Sequence, residues 1–315
     1  MPRLVGFMLL RIAVIAALGA SARAEVLKIA TLAPDGSTWM EAVRRGAAEV
    51  ARRTEGRVTF RFYPGGAMGN DQAVLRKIRI GQLHGGALTA GGLAAVYRDA
   101  QIYSMPMLFR SYAEVDAARR QVDGALIAGL ADNGFVSFGF VEGGFAYLLS
   151  TKPTRTFGDL TGRKPWVPEG DSVGRAIFAA AGVTPVPLPL SDVLTGLQTG
   201  LIDSVAGTPV GAVALQWFTK SKYLTDFPLI YVYGTLVVER QAFERLTAAD
   251  QAVAREVFTA VTRELDTRTR ADNESAREAL RKEGIQFVEP APEARARGEA
   301  VAAEATEKLG ADGAY

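Results

Sequence analysis

The chain of 315 residues contains no cysteine and only one histidine, His84. Without cysteine there can be no disulfide, no thiolate metal ligand and no cysteine nucleophile. A zinc site built from several histidines is also excluded, and a Ser–His catalytic pair would have to use His84. This histidine lies in the segment 81–86, at a predicted helix-to-strand junction, where we interpret it as a structural residue.

Sequence motifs for nucleotide binding and for hydrolysis are missing as well. There is no phosphate-binding loop, no G-x-G-x-x-G that opens a helix and no G-x-S-x-G nucleophile turn. The 36 Lys and Arg residues stand against 34 Asp and Glu and form no basic block, so we expect no nucleic-acid partner. We predict a protein that is not an enzyme, that uses no cofactor and that has no metal-ligating site residues. The sequence leaves open whether a metal assists ligand binding. An enzyme built on a binding-protein fold is the alternative, which a cluster of perturbed titratable groups in a cleft would favour.

Residues 1–24 have the pattern of a cleaved export signal. Arg3 supplies the positive charge, an apolar run follows, and the Ala-Arg-Ala sequence at 22–24 fits the small-residue rule for cleavage before Glu25. A membrane anchor is the alternative, but Arg11 interrupts the run of roughly 20 apolar residues that a spanning helix needs. No later stretch is long and apolar enough to span a bilayer. We expect cleavage after Ala24 and a mature protein in the periplasm.

The rest of the chain alternates between strand and helix patterns. A β-rich run at 26–30 is followed by Thr38 and Glu41, which have the spacing of a capping box, and then by an alternating strand at 58–62. A second series places strands at 164–167, 183–186 and 202–206, with a helix capped by Ser191. Strands and helices joined by short connections predict a mainly parallel sheet covered by helices.

One helical pattern is unusually long. It begins at Thr247 and runs to Lys282, about 36 residues, whereas helices of globular domains usually have 8–20. A helix of this length is typical of an element that lies along two domains. We therefore predict an α/β protein with two units.

Five short motifs occur in a fixed order along the mature chain. They are FYPGGAMGND at 62–71, GQLH at 81–84, MPMLF at 105–109, DLTGRK at 159–164 and LQTGLID at 197–203. In this order and spacing the chain resembles the extracytoplasmic solute-binding proteins of TRAP transporters, of the C4-dicarboxylate-binding type. The resemblance implies a periplasmic binding protein fold, in which two α/β lobes are joined by hinge segments and a long helix spans both lobes.

The resemblance also implies how the lobes divide the chain and which partners they have. After the signal at 1–24, lobe I would comprise 25–147 and about 234–270, and lobe II 148–233 and about 271–315. A small-molecule or lipid-like ligand would be captured between the lobes by hinge closure and delivered to the permease subunits in the membrane.

The sequence departs from this family where most members hold an organic acid. Trp166 stands where the family pattern has an arginine after DLTGRK, and Phe145 or Ala146 stands where it has a second arginine. A buried carboxylate without a cation is costly, whereas tryptophan offers a large apolar face and one N–H donor. We therefore hypothesise a ligand with a large apolar or aromatic part, such as a lipid, a sterol-like molecule or an aromatic acid.

Two alternatives remain open. Trp166 could fill space while another cation binds a carboxylate. Arg175, one turn into the following helix, is the best candidate for that cation and Arg110 is a weaker one. The protein could also be a periplasmic lipid carrier of an envelope-maintenance system.

The same resemblance places further residues at the cleft. They lie at strand ends beside helix starts, where α/β folds bind ligands, or in segments that cross between the lobes. These candidates are Thr31, Leu32, Thr89, Gly91, Tyr147, Thr208, Pro209 and Phe227.

Overall fold

A computed structural model describes residues 24–311 of the protein, with side chains for residues 24–308. The predicted export signal therefore lies outside the described residues, apart from its last residue. No helix in the described part of the chain is long and apolar enough to cross a bilayer.

The chain begins with the predicted alternation of strands and helices. Its first elements are β1 Glu25–Thr31, α1 Thr38–Arg53, β2 Val58–Tyr63, α2 Asp71–Arg79 and β3 Gly85–Thr89. The predicted capping box at Thr38 and Glu41 is wrong by one residue. Thr38 is already the first residue of α1, and the hydroxyl of Ser37 caps the helix by accepting the Met40 N–H at 3.3 Å.

The remaining elements complete two α/β units. The helices are α3 Ala90–Ala94, α4 Tyr112–Asp132, α5 Ser172–Ala180, α6 Val193–Thr199, α7 Pro209–Ala214, α8 Arg240–Glu244, α9 Ala248–Lys282 and α10 Ala294–Ala311. The strands are β4 Phe135–Ser150, β5 Trp166–Pro168, β6 Val186–Leu188, β7 Ser204–Gly207, β8 Tyr223–Glu239 and β9 Gln286–Val288. Short 3₁₀ helices at Arg98–Ser104, Phe157–Leu160, Leu190–Asp192 and Trp217–Thr219 join some of them.

The main sheet is mixed, so the prediction of a mainly parallel sheet is wrong. Its strand order is β2-β1-β3-β8-β4-β7, with β9 beside β8. Parallel pairs join β1 to β2 and β3, but β8 runs antiparallel to both β3 and β4. The two long strands β4 and β8 were missed in the sequence because their apolar runs are nearly continuous and pair with residues about 75–100 positions away.

The strands of the second unit begin later than predicted. β6 covers 186–188 instead of 183–186, because Val183 is buried in a small apolar cluster beside the sheet. β7 covers 204–207 instead of 202–206. The predicted cap at Ser191 is replaced by a 3₁₀ turn, Leu190–Asp192, that leads into α6.

The apolar core has two separate parts, which lie at different positions along the long strands β4 and β8. In the first part, α1 and α9 cover one face of the sheet with a cluster that includes Leu27 and Phe258, and α2 and α4 cover the other with a cluster that includes Leu88 and Leu130. In the second part, a cluster around Leu149 packs the helices α6 and α7 against the sheet. β4 and β8 pass through both parts and connect two α/β lobes.

The long helix α9 matches its prediction. Thr247 caps it by accepting the Asp250 N–H at 3.1 Å, and the helix continues for 35 residues to Lys282. Val261 and Leu265 belong to the core of the first lobe, whereas Leu280 belongs to the core of the second. The helix therefore lies along both lobes.

Candidate ligand cleft

The two lobes meet where α2 of the first faces the start of α5 in the second. The side-chain amide of Asn70 donates a hydrogen bond to a carboxylate oxygen of Glu169 at 3.0 Å, across 99 residues of sequence. Next to it Gln72 lies against Gly170, where a Cβ would be 2.6 Å from the Gln72 amide nitrogen. These contacts join the two lobes, and we take the space beside them as the candidate ligand cleft.

The end of β3 forms part of the wall in the first lobe. Thr89 is exposed and donates from its hydroxyl to Asp71 Oδ2 at 2.6 Å, while the Thr89 N–H donates to the same oxygen at 3.1 Å. Burial raises the pKa of Asp71, although the hydrogen bonds from Thr89 act in the opposite direction. Gly91, in the first turn of the helix that Thr89 caps, is exposed. Thr89 and Gly91 are therefore accessible at the end of β3.

The end of β1 lies deeper in the same lobe. Thr31 is buried, and its hydroxyl accepts the N–H of Ala33 at 3.0 Å. Leu32 is half-buried and packs near Gly66. Of these two residues, only Leu32 has side-chain surface exposed to solvent.

In the second lobe, the candidate cleft is formed by the starts of α5 and α7. Thr208 is half-buried and caps α7 by accepting the Gly211 N–H at 3.2 Å, while the following Pro209 is buried. Both helix starts follow strands β5 and β7 at the lobe boundary, in the arrangement by which α/β folds place ligands.

Arg175 supplies the free positive charge of this wall. It lies one turn after Asp171, the N-cap of α5, and it is exposed. Within residues 24–311 its guanidinium makes no hydrogen bond and no ion pair. Burial raises the pKa of Asp171, while the N–H groups of Gly174 and Val173 and the charge of Arg175 act in the opposite direction. The guanidinium is therefore exposed and has no partner among the described residues.

Trp166 is built into the core of the second lobe. It is 6% exposed, and its Nε1–H is donated to the carbonyl of Leu188 at 2.9 Å. Its ring packs edge-to-face on Trp217 at 5.6 Å between centroids, and Trp217 in turn fills the space where a Cβ on Gly207 would lie. These contacts fit a space-filling residue and leave no N–H donor for a ligand.

A model of the bacterial extracellular solute-binding protein family 7 matches residues 29–312. The chain belongs to this family. The resemblance drawn from the five sequence motifs is thereby confirmed.

Curated relatives of this family 7 protein are distant. The 2,3-diketo-L-gulonate-binding periplasmic protein YiaO of Escherichia coli K12 is 28% identical over 204 residues, which cover 62% of this chain and 60% of YiaO. A solute-binding protein of Verminephrobacter eiseniae is 26% identical over 210 residues, and the chain spans 62% of its length. The C4-dicarboxylate-binding periplasmic protein DctP of Rhodobacter capsulatus is 25% identical over 280 residues, with 85% of this chain and 84% of DctP covered.

Solved structures show the same fold. A TRAP periplasmic solute-binding protein of Xanthobacter autotrophicus with bound β-D-galacturonate superposes with a TM-score of 0.83 at 21% identity, over 90% of this chain and 94% of the other. One of Pseudomonas aeruginosa with bound L-malate gives 0.80 at 17% identity, over 90% and 99%. The predicted periplasmic binding protein fold with two lobes is confirmed by these superpositions.

The aromatic residues that cross between the lobes of the family 7 protein are mostly buried. Phe145 is 5% exposed and packs on Tyr112 and Tyr231 at 4.9 and 5.8 Å. Ala146, its neighbour in β4, is 1% exposed. The place of the second family arginine is therefore filled by packing.

Two further residues predicted to contact the ligand each have an arginine stacked over the aromatic ring. Tyr147 is half-buried under Arg277 at 4.9 Å, and Phe227 is 5% exposed under Arg295 at 4.8 Å. Such pairs shield the faces of both rings.

Arg110 differs from Arg175 in being paired. Its guanidinium donates to Glu299 on α10 at 2.8 Å, with the Arg110 side chain 60% exposed. Among the predicted site residues, Thr89, Gly91 and Arg175 are exposed, Leu32, Tyr147 and Thr208 are half-buried, and Thr31, Phe145, Ala146, Trp166, Pro209 and Phe227 are buried.

A charged cluster behind the cleft was missed in the sequence. Glu142 has no exposed side-chain surface, yet it accepts from Arg270 at 2.7 Å and from the Tyr231 hydroxyl at 2.8 Å. Arg270 also binds Asp116 on α4 at 2.6 Å, which contributes to raising its pKa. A lone glutamate within the apolar run of β4 was the available signal. The cluster ties β4, α4 and α9 together.

His84 is structural, as the sequence suggested. Its Nδ1 accepts the N–H of Lys28 at 3.1 Å, and burial lowers its pKa with a further contribution from Arg245. The imidazole joins β1 to the start of β3, at the end of the lobe away from Thr89.

Proposed function

We propose that this family 7 protein is a periplasmic receptor of a TRAP-type transporter. It captures a small organic acid between its two lobes by hinge closure and presents it to the permease subunits in the membrane. The match of the family model to residues 29–312 is the observation that carries this proposal. The cross-lobe contact of Asn70 and Glu169 supports it, because it closes the rim that a ligand would enter.

The ligand class follows from the charges that the cleft offers. The solved relatives hold β-D-galacturonate, D-glucuronate, L-malate, orotic acid and pyroglutamic acid, each of which is a carboxylic acid. Arg175 has the free guanidinium that a carboxylate needs for two parallel charge-assisted hydrogen bonds. The apolar-ligand hypothesis required Trp166 as a wall, and its ring is occupied by Trp217. We therefore favour the organic acid and the relocated arginine over the lipid.

The proposed lobe division uses the sequence boundaries. Lobe I comprises 25–147 and about 234–270, and lobe II comprises 148–233 and about 271–315. These boundaries cut β4 between 147 and 148 and β8 between 233 and 234. Both cuts lie near irregular strand pairing, since register shifts occur between Glu142 and Gly144 and between Ala146 and Leu148. Irregular pairing is a place where a strand can bend.

Titration calorimetry tests the acid and its arginine. We expect an organic acid such as galacturonate or malate to bind, and the matched neutral sugar galactose not to bind. Arg175→Ala should weaken the acid about ten- to hundredfold, the range expected for lost hydrogen bonds to a charged group. Arg297→Ala, an exposed arginine on α10, is the matched control and should leave the affinity unchanged. Lipid binding without acid binding, or acid binding that survives Arg175→Ala, would contradict the proposal.

A further inference from the structure

One face of α9 is attached to both lobes through a regular series of side chains. Asp266 binds Arg119 at 2.9 Å, and Arg270 binds Glu142 at 2.7 Å. Two turns further on, Arg277 binds Asp226 at 2.8 Å. Positions separated by three or four residues share a helix face. In the proposed division, the first two anchors hold lobe I and the third holds lobe II.

Asn273 lies between these anchors, on the same face. It is 5% exposed. Its amide nitrogen donates to the Gly143 carbonyl at 2.8 Å and to the Thr269 carbonyl at 3.0 Å, and its amide oxygen accepts the Val210 N–H at 3.2 Å. The side chain therefore bonds at once to β4, to its own helix and to the first turn of α7.

The partner in β4 is at the bend of the strand. Gly144 has φ +92°, and a Cβ there would lie 2.6 Å from the Asn273 amide nitrogen and 2.9 Å from the Tyr112 hydroxyl. Only glycine fits this conformation and this space. The register of β4 against β8 shifts between Glu142 and Gly144, so the regular ladder is interrupted at the same point.

The partner in α7 lies at the start of that helix. Val210 follows Thr208, which caps α7, and Pro209, the first residue of the helix. Its N–H belongs to the first turn and has no partner within the helix. Asn273 satisfies this donor from the hinge side, which fixes the start of α7 relative to the bend in β4.

We propose that Asn273 is a positioning residue for lobe closure. Its amide couples the start of α7 to the bend at Gly143 and Gly144, so that the closed arrangement, in which Asn70 reaches Glu169, forms together with the Val210 hydrogen bond. The proposal rests on the proposed function in one respect, because it requires that the two lobes move.

Spin-label distances test the proposal without any ligand. The chain has no cysteine, so Arg76→Cys on α2 and Ser172→Cys on α5 give two unique labels on exposed positions of the facing helices. Pulsed electron–electron double resonance then measures the distance between the two labels, and so the separation of the lobes, in frozen solution. We expect Asn273→Ala to increase the population ratio of the long to the short distance about fivefold, the effect of one buried hydrogen bond. Ser275→Ala, an exposed change on the same helix, should leave the distances unchanged.

The outcomes separate the positioning role from a purely structural one. Asn273→Ala that lowers the melting temperature and leaves the distance distribution of the parent intact would overturn the proposal. If Asn273→Ala does not fold, the same comparison with Asn273→Ser decides. Failure of organic acids to bind would overturn the proposed function alone, since the label distances of the parent and of Asn273→Ala are compared without any acid. A parent protein that shows one fixed distance without ligand, unchanged by an acid that calorimetry shows to bind, would overturn lobe closure, and with it the role of Asn273.

Discussion

Replacing Trp166 by phenylalanine distinguishes a core residue from a ligand wall. The change keeps an aromatic ring against Trp217 but removes the N–H donor to the Leu188 carbonyl, which lies 2.9 Å away. The Leu188 carbonyl still accepts the Glu169 N–H at 3.2 Å, so the lost hydrogen bond costs only about 0.5–1.5 kcal/mol, and the smaller ring adds about 1 kcal/mol for incomplete packing. We expect Trp166→Phe to lower the free energy of unfolding by about 1.5–2.5 kcal/mol. The affinity for an organic acid should change by less than about threefold, because the cost is in the fold and not in the cleft.

Urea unfolding followed by circular dichroism gives the stability, and calorimetry on the same sample gives the affinity. Trp39→Phe, in the core of the other lobe, is the matched control for loss of an indole. If Trp166→Phe costs less than about 0.5 kcal/mol of stability, the size of an ordinary surface change, while acid binding weakens more than tenfold, Trp166 is a ligand contact and not a core residue.

Restoring the arginine of the family pattern should not restore a binding site. Trp166→Arg would place a guanidinium in a position that is 6% exposed, among apolar neighbours and without a carboxylate partner. An uncompensated buried charge costs about 3–5 kcal/mol. We expect a strongly destabilised protein, measured by thermal unfolding, and a variant as stable as the parent would show that the position faces solvent.

Two further changes test the cleft rim and the start of α9. Glu169→Ala removes the acceptor of the Asn70 amide and should lengthen the label distance between Arg76→Cys and Ser172→Cys, whereas Glu169→Gln keeps an acceptor and should not. Equal distances in both variants would show that this contact does not hold the lobes together. Asp250 binds Arg57 at 2.9 Å, and this hydrogen bond lowers the pKa of Asp250. Its contribution to stability is therefore full above the unfolded pKa of about 3.9 and is lost as pH falls through the lower folded pKa. Asp250→Asn should lower the melting temperature at pH 7 and lose this effect in strong acid, and a difference that stays constant with pH would contradict the ion pair.

Local rules anticipated the elements that depend on neighbouring residues. Asn70 and Thr247 cap α2 and α9 because their side-chain oxygens need only an N–H three residues ahead. The long helix followed from the same kind of periodicity. Strand pairing escaped these rules, because β4 and β8 meet across about 75 to 100 residues and pass through both lobes.

The candidate site shows the same limit. An aligned sequence can place Trp166 at the position of an arginine, but its side-chain direction depends on Trp217 and on the absence of a Cβ at Gly207. Arg175 was predicted as a candidate, and its freedom from ion pairs became visible only in three dimensions. Asn273 was missed, because its three partners lie on three separate elements.

A crystal structure with the tightest-binding organic acid would show which group holds the carboxylate. We expect the carboxylate within hydrogen-bond distance of the Arg175 guanidinium, about 2.7–3.2 Å, with the acid enclosed between Thr89 and Thr208 and with Asn70 in contact with Glu169. A carboxylate held by a different cation, or an apolar molecule lying along an uncovered Trp166, would contradict it.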